Sequence, residues 1–163
     1  LVEASQVGVK IEMIVRGICC MIPGIKGYTE NIKVISIVGR FLEHSRIYAF
    51  GVGDDTEIYI SSADMMTRNT RRRVEVAAPI YDPRLKQRIL KMINVMKQDN
   101  IQAQVLLSNG EYTTKKKRED NMNSQIHFLN EAKRLAPKEK TQKQNLFYQV
   151  KGIFFGKKKL RKK

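Results

Sequence analysis

This sequence of 163 residues has no tryptophan, few cysteines and no apolar run of about 18 residues or more. A helix that crosses a membrane needs about 20 consecutive apolar residues. The first ten residues also lack the basic start and long apolar segment of a secretory signal. With 42% hydrophobic residues, the chain can still build one core. The sequence therefore predicts a soluble, intracellular protein with one main domain.

The two cysteines, Cys19 and Cys20, are neighbours in the chain. Adjacent cysteines rarely satisfy the geometry of a mutual disulfide, and neither has a second partner or the spacing of a metal ligand. We expect reduced, partly buried thiols and no metal site built from cysteine.

Acidic residues are scarce relative to basic ones, which gives a formal net charge of +15. Residues 1–110 carry 15 Lys and Arg against 11 Asp and Glu, a net +4, whereas residues 111–163 carry 16 against 5, a net +11. Basic runs of this kind are often solvated tails. They also attract polyanions such as nucleic acid, an acidic membrane surface or polyphosphate. The tail alone does not decide between these alternatives.

Alternating apolar and polar residues predict several strands. The predicted strands cover residues 9–15, 31–41, 45–50, 58–64, 71–81 and 101–107. An acidic, glycine-containing turn joins the third and fourth of them as a hairpin. In the fifth, Val74, Val76 and Ala78 are expected to share one face. Asn109 and Gly110 then form a turn, after which the pattern weakens.

Helical features occur in three segments, residues 1–6, 82–99 and 123–136. The first is expected to stop at Gly8. In the second, Asp82 is the N-cap and Pro83 takes the first helical position, and apolar residues follow at helical spacing. Strands and helices together predict an α/β fold.

The segment GRFLEHSRIYAF, residues 39–50, raises the question of function. It places His44 and Arg46 two residues apart in a predicted strand, where alternation puts both on one face. Other polar residues also fall at predicted strand ends and could converge on one edge of the sheet. The full set is Arg16, His44, Arg46, Ser61, Ser62, Asp64, Arg68 and Arg73.

The residue types in this set suit phosphoryl chemistry. The planar fork of arginine matches phosphate oxygens in pairs, and histidine exchanges protons near neutral pH. A lone histidine in a strand is nevertheless more often structural than catalytic. We give His127, next to Phe128 on the last predicted helix, that structural interpretation. His44 differs because Arg46 shares its face.

Five segments resemble, in this order, the C-terminal domain of bacterial polyphosphate kinase of the histidine-phosphorylating, long-chain type. They are GVKIEMIVRGICC, ENIKVISIVGRFLEHSRIYAF, YISSADMMTRN, RRVEVAAPI and DPRLKQRIL. The resemblance covers residues 1–107 and implies a phospholipase D-like mixed sheet flanked by helices. It also implies a C-terminal phospholipase D-like domain over 1–110, starting inside a helix. Residues 111–163 match only loosely, and their own pattern predicts a helix followed by a basic, flexible tail.

The resemblance further implies an activity. Members of the family move the γ-phosphate of ATP reversibly to the end of a polyphosphate chain, with magnesium and through a phosphohistidine in the preceding domain. The implied ligands are ATP or ADP and polyphosphate, and the implied partners are the upstream domains and further copies of the enzyme. The magnesium site is expected upstream, with no metal ligands in this chain. The implied location is the cytoplasm, often with loose association with the inner membrane. The chain alone is expected to be inactive.

Residue roles follow only through the resemblance. His44 matches an essential histidine that contacts the nucleotide, and Arg16 and Arg73 match phosphate-contacting arginines. Arg68 is an extrapolation from its position. The remaining matches are to the His-x-Lys and Gly-Ser elements of phospholipase D, here represented by Arg46, Ser61 and Ser62. Met65 stands where family members commonly have tryptophan, which leaves any stacking by that ring in doubt.

Two other functions stay open. One is a phospholipase D-like phosphodiesterase or nuclease, which would need a second histidine motif from another domain or a dimer. The other is a nucleic-acid-binding module driven by the basic tail. Aromatic residues are interleaved with basic ones only in LFYQVKGIFFGKKK, and single-strand stacking depends on such aromatics.

Overall fold

In the computed structural model of the chain, residues 1–115 and 120–137 are described. The predicted flexible tail beyond Pro137, including LFYQVKGIFF, lies outside the described residues, and so does most of the basic run that begins at Lys115. The chain divides into two units, Leu1–Phe128 and Leu129–Lys163. All the features that follow, apart from the end of the last helix, lie in the first unit.

Seven strands and four helices make up the described part of the chain, together with one short 3-10 turn at Gly53–Asp55. In chain order they are α1 (Val2–Gln6), β1 (Ile11–Val15), β2 (Ile32–Ile37), β3 (Ile47–Phe50), β4 (Glu57–Ser61), α2 (Thr67–Arg72), β5 (Ala77–Pro79), α3 (Pro83–Gln98), β6 (Ala103–Leu106), β7 (Tyr112–Thr114) and α4 (Ser124–Leu135).

The strands form two sheets. The first has the order β1-β2-β6-β7, in which β1 and β2 are parallel and the other pairs are antiparallel. The second is the antiparallel sheet β3-β4-β5. The predicted mixed α/β fold is confirmed, with its strands divided between two sheets. None of the helices in the described part is long and apolar enough to cross a membrane.

The core lies on both faces of the first sheet. On β2, Ile32 and Val34 pack with Leu106 on one face. Ile37 packs on the opposite face against α3 and against Phe128 of α4. This division follows from the alternation of side chains along a strand. Fully burying one such aliphatic side chain contributes about 1.5–3 kcal/mol, so the first sheet is the stable frame of the domain.

Local sequence chemistry explains the ends of the helices. Asp82 caps α3, because its Oδ1 accepts a hydrogen bond of 2.8 Å from the backbone N–H of Arg84, and Pro83 occupies the first helical position. Gly8 follows α1 with a φ of 89°, a conformation that suits glycine. The helices predicted at 1–6, 82–99 and 123–136 are confirmed to within a few residues.

The predicted strand over 71–81 is wrong for most of its length. Arg71 and Arg72 belong to α2, and only Ala77–Pro79 forms β5. Val74 is fully exposed and Val76 is 68% exposed, so the apolar alternation does not mark a buried face. Proline is tolerated in β5 because that strand lies at the edge of its sheet, opposite Tyr59 of β4.

Two further differences concern strands. β7 was not predicted, because the three residues Tyr112–Thr114 are too few to show a period. The segment with His44 and Arg46 was predicted to be part of a strand, but residues 38–46 form a loop and β3 begins only at Ile47. Strand alternation therefore does not explain why these two side chains lie near each other.

Candidate functional site

Asp64 is the centre of a cluster of charged side chains. Both of its carboxylate oxygens accept hydrogen bonds of 2.8 Å from Nη2 of Arg16. The same oxygens accept hydrogen bonds from Arg46, at 3.0 Å from Nε and 3.1 Å from Nη2. The side chains are 30% exposed for Arg16, 17% for Arg46 and 20% for Asp64, so solvent reaches Arg16 most easily.

The fold brings these residues together from three strand ends. Arg16 directly follows β1, Arg46 directly precedes β3, and Asp64 lies just beyond the end of β4. β3 and β4 are antiparallel neighbours, so the start of one meets the end of the other, and the N–H of Ser61 donates to the carbonyl of Arg46 at 2.9 Å. The predicted convergence at strand ends thus exists, between the edges of two sheets.

His44 contacts Arg46. The two side chains approach at 3.4 Å between His44 Nε2 and Arg46 Nη2, and Arg46 Nη1 donates to the His44 carbonyl at 3.4 Å. A guanidinium has only donors, so Nε2 of His44 must be the acceptor in this contact. In the tautomer that makes this contact, Nδ1 carries the N–H, which the exposed imidazole can present to a ligand.

The two arginines differ in the donors that they keep free. Arg46 uses four of its five N–H groups on Asp64 and His44. Arg16 contacts Asp64 through Nη2 and the carbonyl of Glu43 through Nη1, at 3.4 Å. Its Nε–H and its second Nη1–H make no hydrogen bond to the described residues. Arg16 is therefore the better placed of the two to bind an added anion.

Electrostatics keep the cluster charged. Hydrogen bonds from Arg46, aided by the positive charge of Arg16, hold the pKa of Asp64 below its usual range despite partial burial. The hydrogen bonds to Asp64 likewise raise the pKa of the Arg46 guanidinium. Two guanidinium groups and one carboxylate leave a net charge of +1, which favours an anionic ligand.

Ser61 and Ser62 use their hydroxyls inside the β4–β5 connection. Ser61 Oγ donates to the Val76 carbonyl at 3.0 Å and accepts from the Ala63 N–H at 3.0 Å. Ser62 Oγ donates to Glu75 and accepts from the Val76 N–H at 3.0 Å. Both hydroxyls thus stabilise the β4–β5 connection, and Ser61 reaches the cluster only through its backbone N–H, which donates to the Arg46 carbonyl.

Glu75 links Ser62, just after β4, to Asn69 of α2. It accepts hydrogen bonds from Ser62 and from buried Asn69, and these two bonds are the main reason that its pKa is lowered. The charge of Arg73 lowers it further, which places Arg73 in the electrostatic reach of Glu75. Arg68, on the exposed surface of α2, makes no hydrogen bond or ion pair with the described residues.

The structure thus joins Arg16, His44 and Arg46 around Asp64, and it leaves Arg68 outside this group. The sequence placed Asp64 among the strand-end residues but gave it no role, and it gave Glu75 none either. Their partners lie 6 to 48 residues away in the chain, so no local spacing indicates them. The only available signal was the position of Asp64 after a predicted strand.

The cluster does not fit a magnesium ion. Within residues 1–115 and 120–137, no group of three or more His, Cys, Asp and Glu could hold a metal. Magnesium prefers carboxylate and water oxygens, but both oxygens of Asp64 already accept from arginines. A cavity of about 420 Å³ lies elsewhere, on the first sheet beside Ile14, Ile35 and Val105, and it is not lined by the cluster.

The fold and the cluster define an α/β domain in which two arginines and a histidine are grouped at one carboxylate. The family model described as Polyphosphate kinase C-terminal domain 2 matches residues 1–125. The chain belongs to this family, as the resemblance of its motifs predicted.

Individual relatives agree with this assignment. A polyphosphate kinase of Prochlorococcus marinus (strain MIT 9313) is 50% identical over 127 residues, which are 78% of this chain and 17% of the relative. One of Vibrio parahaemolyticus is 54% identical over 106 residues, 65% of this chain and 15% of the relative. The crystal structure of polyphosphate kinase from Porphyromonas gingivalis superposes with a TM-score of 0.74 at 37% identity, over 83% of this chain and 22% of that one. The chain therefore spans about a fifth of the length of the relatives it matches.

Proposed function

We propose that this chain forms the C-terminal part of the active site of a polyphosphate kinase, which transfers the γ-phosphate of ATP reversibly to polyphosphate. The observation that carries the proposal is the attachment of Arg16 and Arg46 to one carboxylate, with His44 against Arg46, in a domain of this family. The polyphosphate kinases that it resembles give the substrate class, and the cluster supplies groups that suit it.

Each residue has a distinct proposed role. Arg16 binds phosphate oxygens through the N–H groups that the protein leaves free. His44 donates its Nδ1–H to the transferring phosphoryl group or exchanges a proton with it, while Arg46 orients the imidazole. Phosphoryl transfer depends mostly on positioning and on electrostatic stabilisation, so loss of an arginine is as harmful as loss of the histidine. Arg73, which matches a phosphate-contacting arginine of the family, is proposed to bind phosphates of the polyphosphate chain.

Other parts of the reaction are assigned outside this chain. The phosphohistidine is proposed to form in the preceding domain, and magnesium, which would neutralise phosphate charge, is proposed to bind there as well. The enzyme is proposed to act as a homo-oligomer in the cytoplasm with loose association with the inner membrane. No step at Asp64 requires the metal, because this carboxylate is occupied by arginines.

The test is polyphosphate synthesis by the full-length enzyme that carries this chain. The substitution His44→Ala should lower kcat by about 100-fold to 10,000-fold, the usual range for loss of a positioned acid or base. His127→Ala is the matched control, because His127 stacks edge-on against Phe128 and is assigned no function. Near-normal synthesis by the His44 variant would remove this residue from the mechanism. The 163-residue chain alone should be inactive, and hydrolysis of a phosphodiester by it would favour the phosphodiesterase alternative.

A further inference from the structure

Loop 38–46, which carries His44, is attached to α4 by one buried side chain, that of Gln125. The Gln125 amide pairs with both backbone groups of Phe41: Oε1 accepts from the N–H at 3.1 Å, and Nε2 donates to the carbonyl at 2.7 Å. Nε2 also donates to Glu43 Oε1 at 2.8 Å. Gln125 is only 4% exposed, and its bonds to the loop are partly buried.

The loop passes close to Gln125 at Gly39, where the glycine leaves room for the glutamine side chains. A β-carbon built at Gly39 would lie 2.5 Å from Gln125 Oε1 and 2.6 Å from the amide of Gln102. Real β-carbons do not approach other atoms this closely, so a side chain at position 39 would push the glutamines away. The contact between the loop and α4 thus involves Gly39 in the loop as well as Gln125 in α4.

Gln125 itself is held in place by its neighbour in the chain. The backbone N–H and the hydroxyl of Ser124 both donate to Asp99 Oδ2, at 2.8 and 2.6 Å. Asp99 Oδ1 accepts from the N–H groups of residues 101–103. Asp99 and Ser124 are fully buried, so the start of α4 is fixed to the beginning of β6.

The attachment of the loop reaches the cluster through the backbone. The carbonyl of Glu43 accepts from Arg16, and the carbonyl of His44 accepts from Arg46. Gln125 binds the residue just before His44 and fixes the loop at Phe41. We infer that Gln125 is a positioning residue for His44, holding loop 38–46 so that the imidazole and both guanidinium groups keep their mutual geometry. Its effect on phosphate binding rests on the proposed function, whereas its hold on the loop does not.

The first experiment uses the 163-residue chain and compares Gln125→Ala with Ile126→Ala. Ile126 is the next residue on α4 and is 45% exposed, which makes it a matched control. In Gln125→Ala, hydrogen exchange at the Phe41 amide should accelerate by about tenfold or more, because that N–H loses its buried acceptor. The imidazole resonances of His44 should shift as well. Unchanged exchange and unchanged His44 resonances, or equal changes in Ile126→Ala, would overturn the inference.

A second variant pair covers the case in which Gln125→Ala does not fold. Gln125→Glu places a carboxylate against both Glu43 and the Phe41 carbonyl. Adding Glu43→Gln removes the first repulsion and restores a donor between the side chains, so recovery is expected to be partial. Exchange at Phe41 should be fast in the single variant and slower again in the double variant. If hydrogen exchange at Phe41 is as fast in the double variant as in the single one, the contact between residues 125 and 43 does not hold the loop.

Inorganic tripolyphosphate then tests the link to function. Its affinity for the wild-type chain should exceed that for Gln125→Glu by about tenfold, with recovery in the double variant. A wild-type chain that binds no tripolyphosphate would count against the proposed function, while the exchange data would still decide the role of Gln125. Equal tripolyphosphate affinity in the wild-type chain and Gln125→Glu would show that the loop contact does not serve the anion site.

Discussion

Arg16 and Asp64, 48 residues apart in the chain, are joined by two hydrogen bonds of 2.8 Å. This pair connects the end of a strand in the first sheet with the end of a strand in the second. Because Arg46 binds the same carboxylate, Asp64 sets the distance between two guanidinium groups. The carboxylate orients the two arginines and lowers their mutual repulsion.

Asp64→Asn should separate binding from turnover in the full-length enzyme. The substitution removes one negative charge, so electrostatic attraction of ATP and polyphosphate is retained or strengthened. The two guanidinium groups lose the charged acceptor that they share, and His44, which contacts Arg46, shifts with them. Misplacement of about 1 Å can cost about 100-fold in rate. We expect kcat to fall by about that factor with little increase in KM. Steady-state kinetics with ATP check this, and a rise in KM at constant kcat would contradict it.

Arg16→Lys should weaken phosphate binding although the charge is kept. Lysine presents a single ammonium in place of a planar fork, so it cannot bind Asp64 and a phosphate in the same geometry. Loss of one charge-assisted hydrogen bond of about 1.5–3 kcal/mol corresponds to affinity about 10- to 100-fold lower. Titration of the chain with tripolyphosphate measures this.

Arg84→Lys is the control for that substitution, because the Arg84 side chain is 91% exposed and, among the described residues, pairs with Asp82 alone at the start of α3. Equal affinities for the Arg16 and Arg84 variants would exclude Arg16 from the anion site.

Stability should fall at acid pH partly because of Asp99. Burial raises the pKa of this carboxyl, but the hydrogen bonds from Ser124 and from the backbone N–H groups of Gln102 and Ala103 outweigh burial and lower it. Its stabilising effect is therefore fully present above the unfolded pKa of about 3.9, and it is lost as the pH falls through the lower folded value.

Urea unfolding at a series of pH values tests this prediction. The free energy of unfolding should be nearly constant from about pH 7 to 5 and should decline below about pH 4. Asp99→Asn should be less stable at neutral pH by about 1–3 kcal/mol, since buried donors lose a charged acceptor. Its decline at acid pH should be shallower than that of the wild type. Parallel curves would show that Asp99 contributes no pH dependence.

Features that depend on neighbouring residues could be predicted from the sequence. The start of α3 is an example, because Asp82 and Pro83 act within one turn of the helix. β1 and β2 could be predicted because apolar and polar residues alternate along their sequences. The family was indicated by five ordered motifs and is confirmed by the match over residues 1–125.

Features that depend on distant residues could not be predicted. Residues 71–76 have the apolar and polar alternation of a strand. Hydrogen bonds from Asn69 and Ser62 to Glu75 instead hold this region beside the end of β4 in another conformation. The contact of Gln125 with Phe41 spans 84 residues and leaves no periodic trace in the sequence. The proximity of His44 to Arg46 was expected for the wrong reason, since both lie in a loop and their hydrogen-bond geometry, rather than strand alternation, brings them together.

Pro79 in β5 also limits the addition of further strands to the edge of the second sheet. The N–H of Ile80 points inward and donates to Ile58 of β4 at 2.8 Å, so the backbone nitrogen of Pro79 faces the outer rim of the second sheet. A proline nitrogen has no hydrogen to offer an incoming strand. Strand-by-strand growth into fibrils is therefore obstructed at this rim, which protects a sheet that carries exposed apolar side chains such as Phe50 and Ile60.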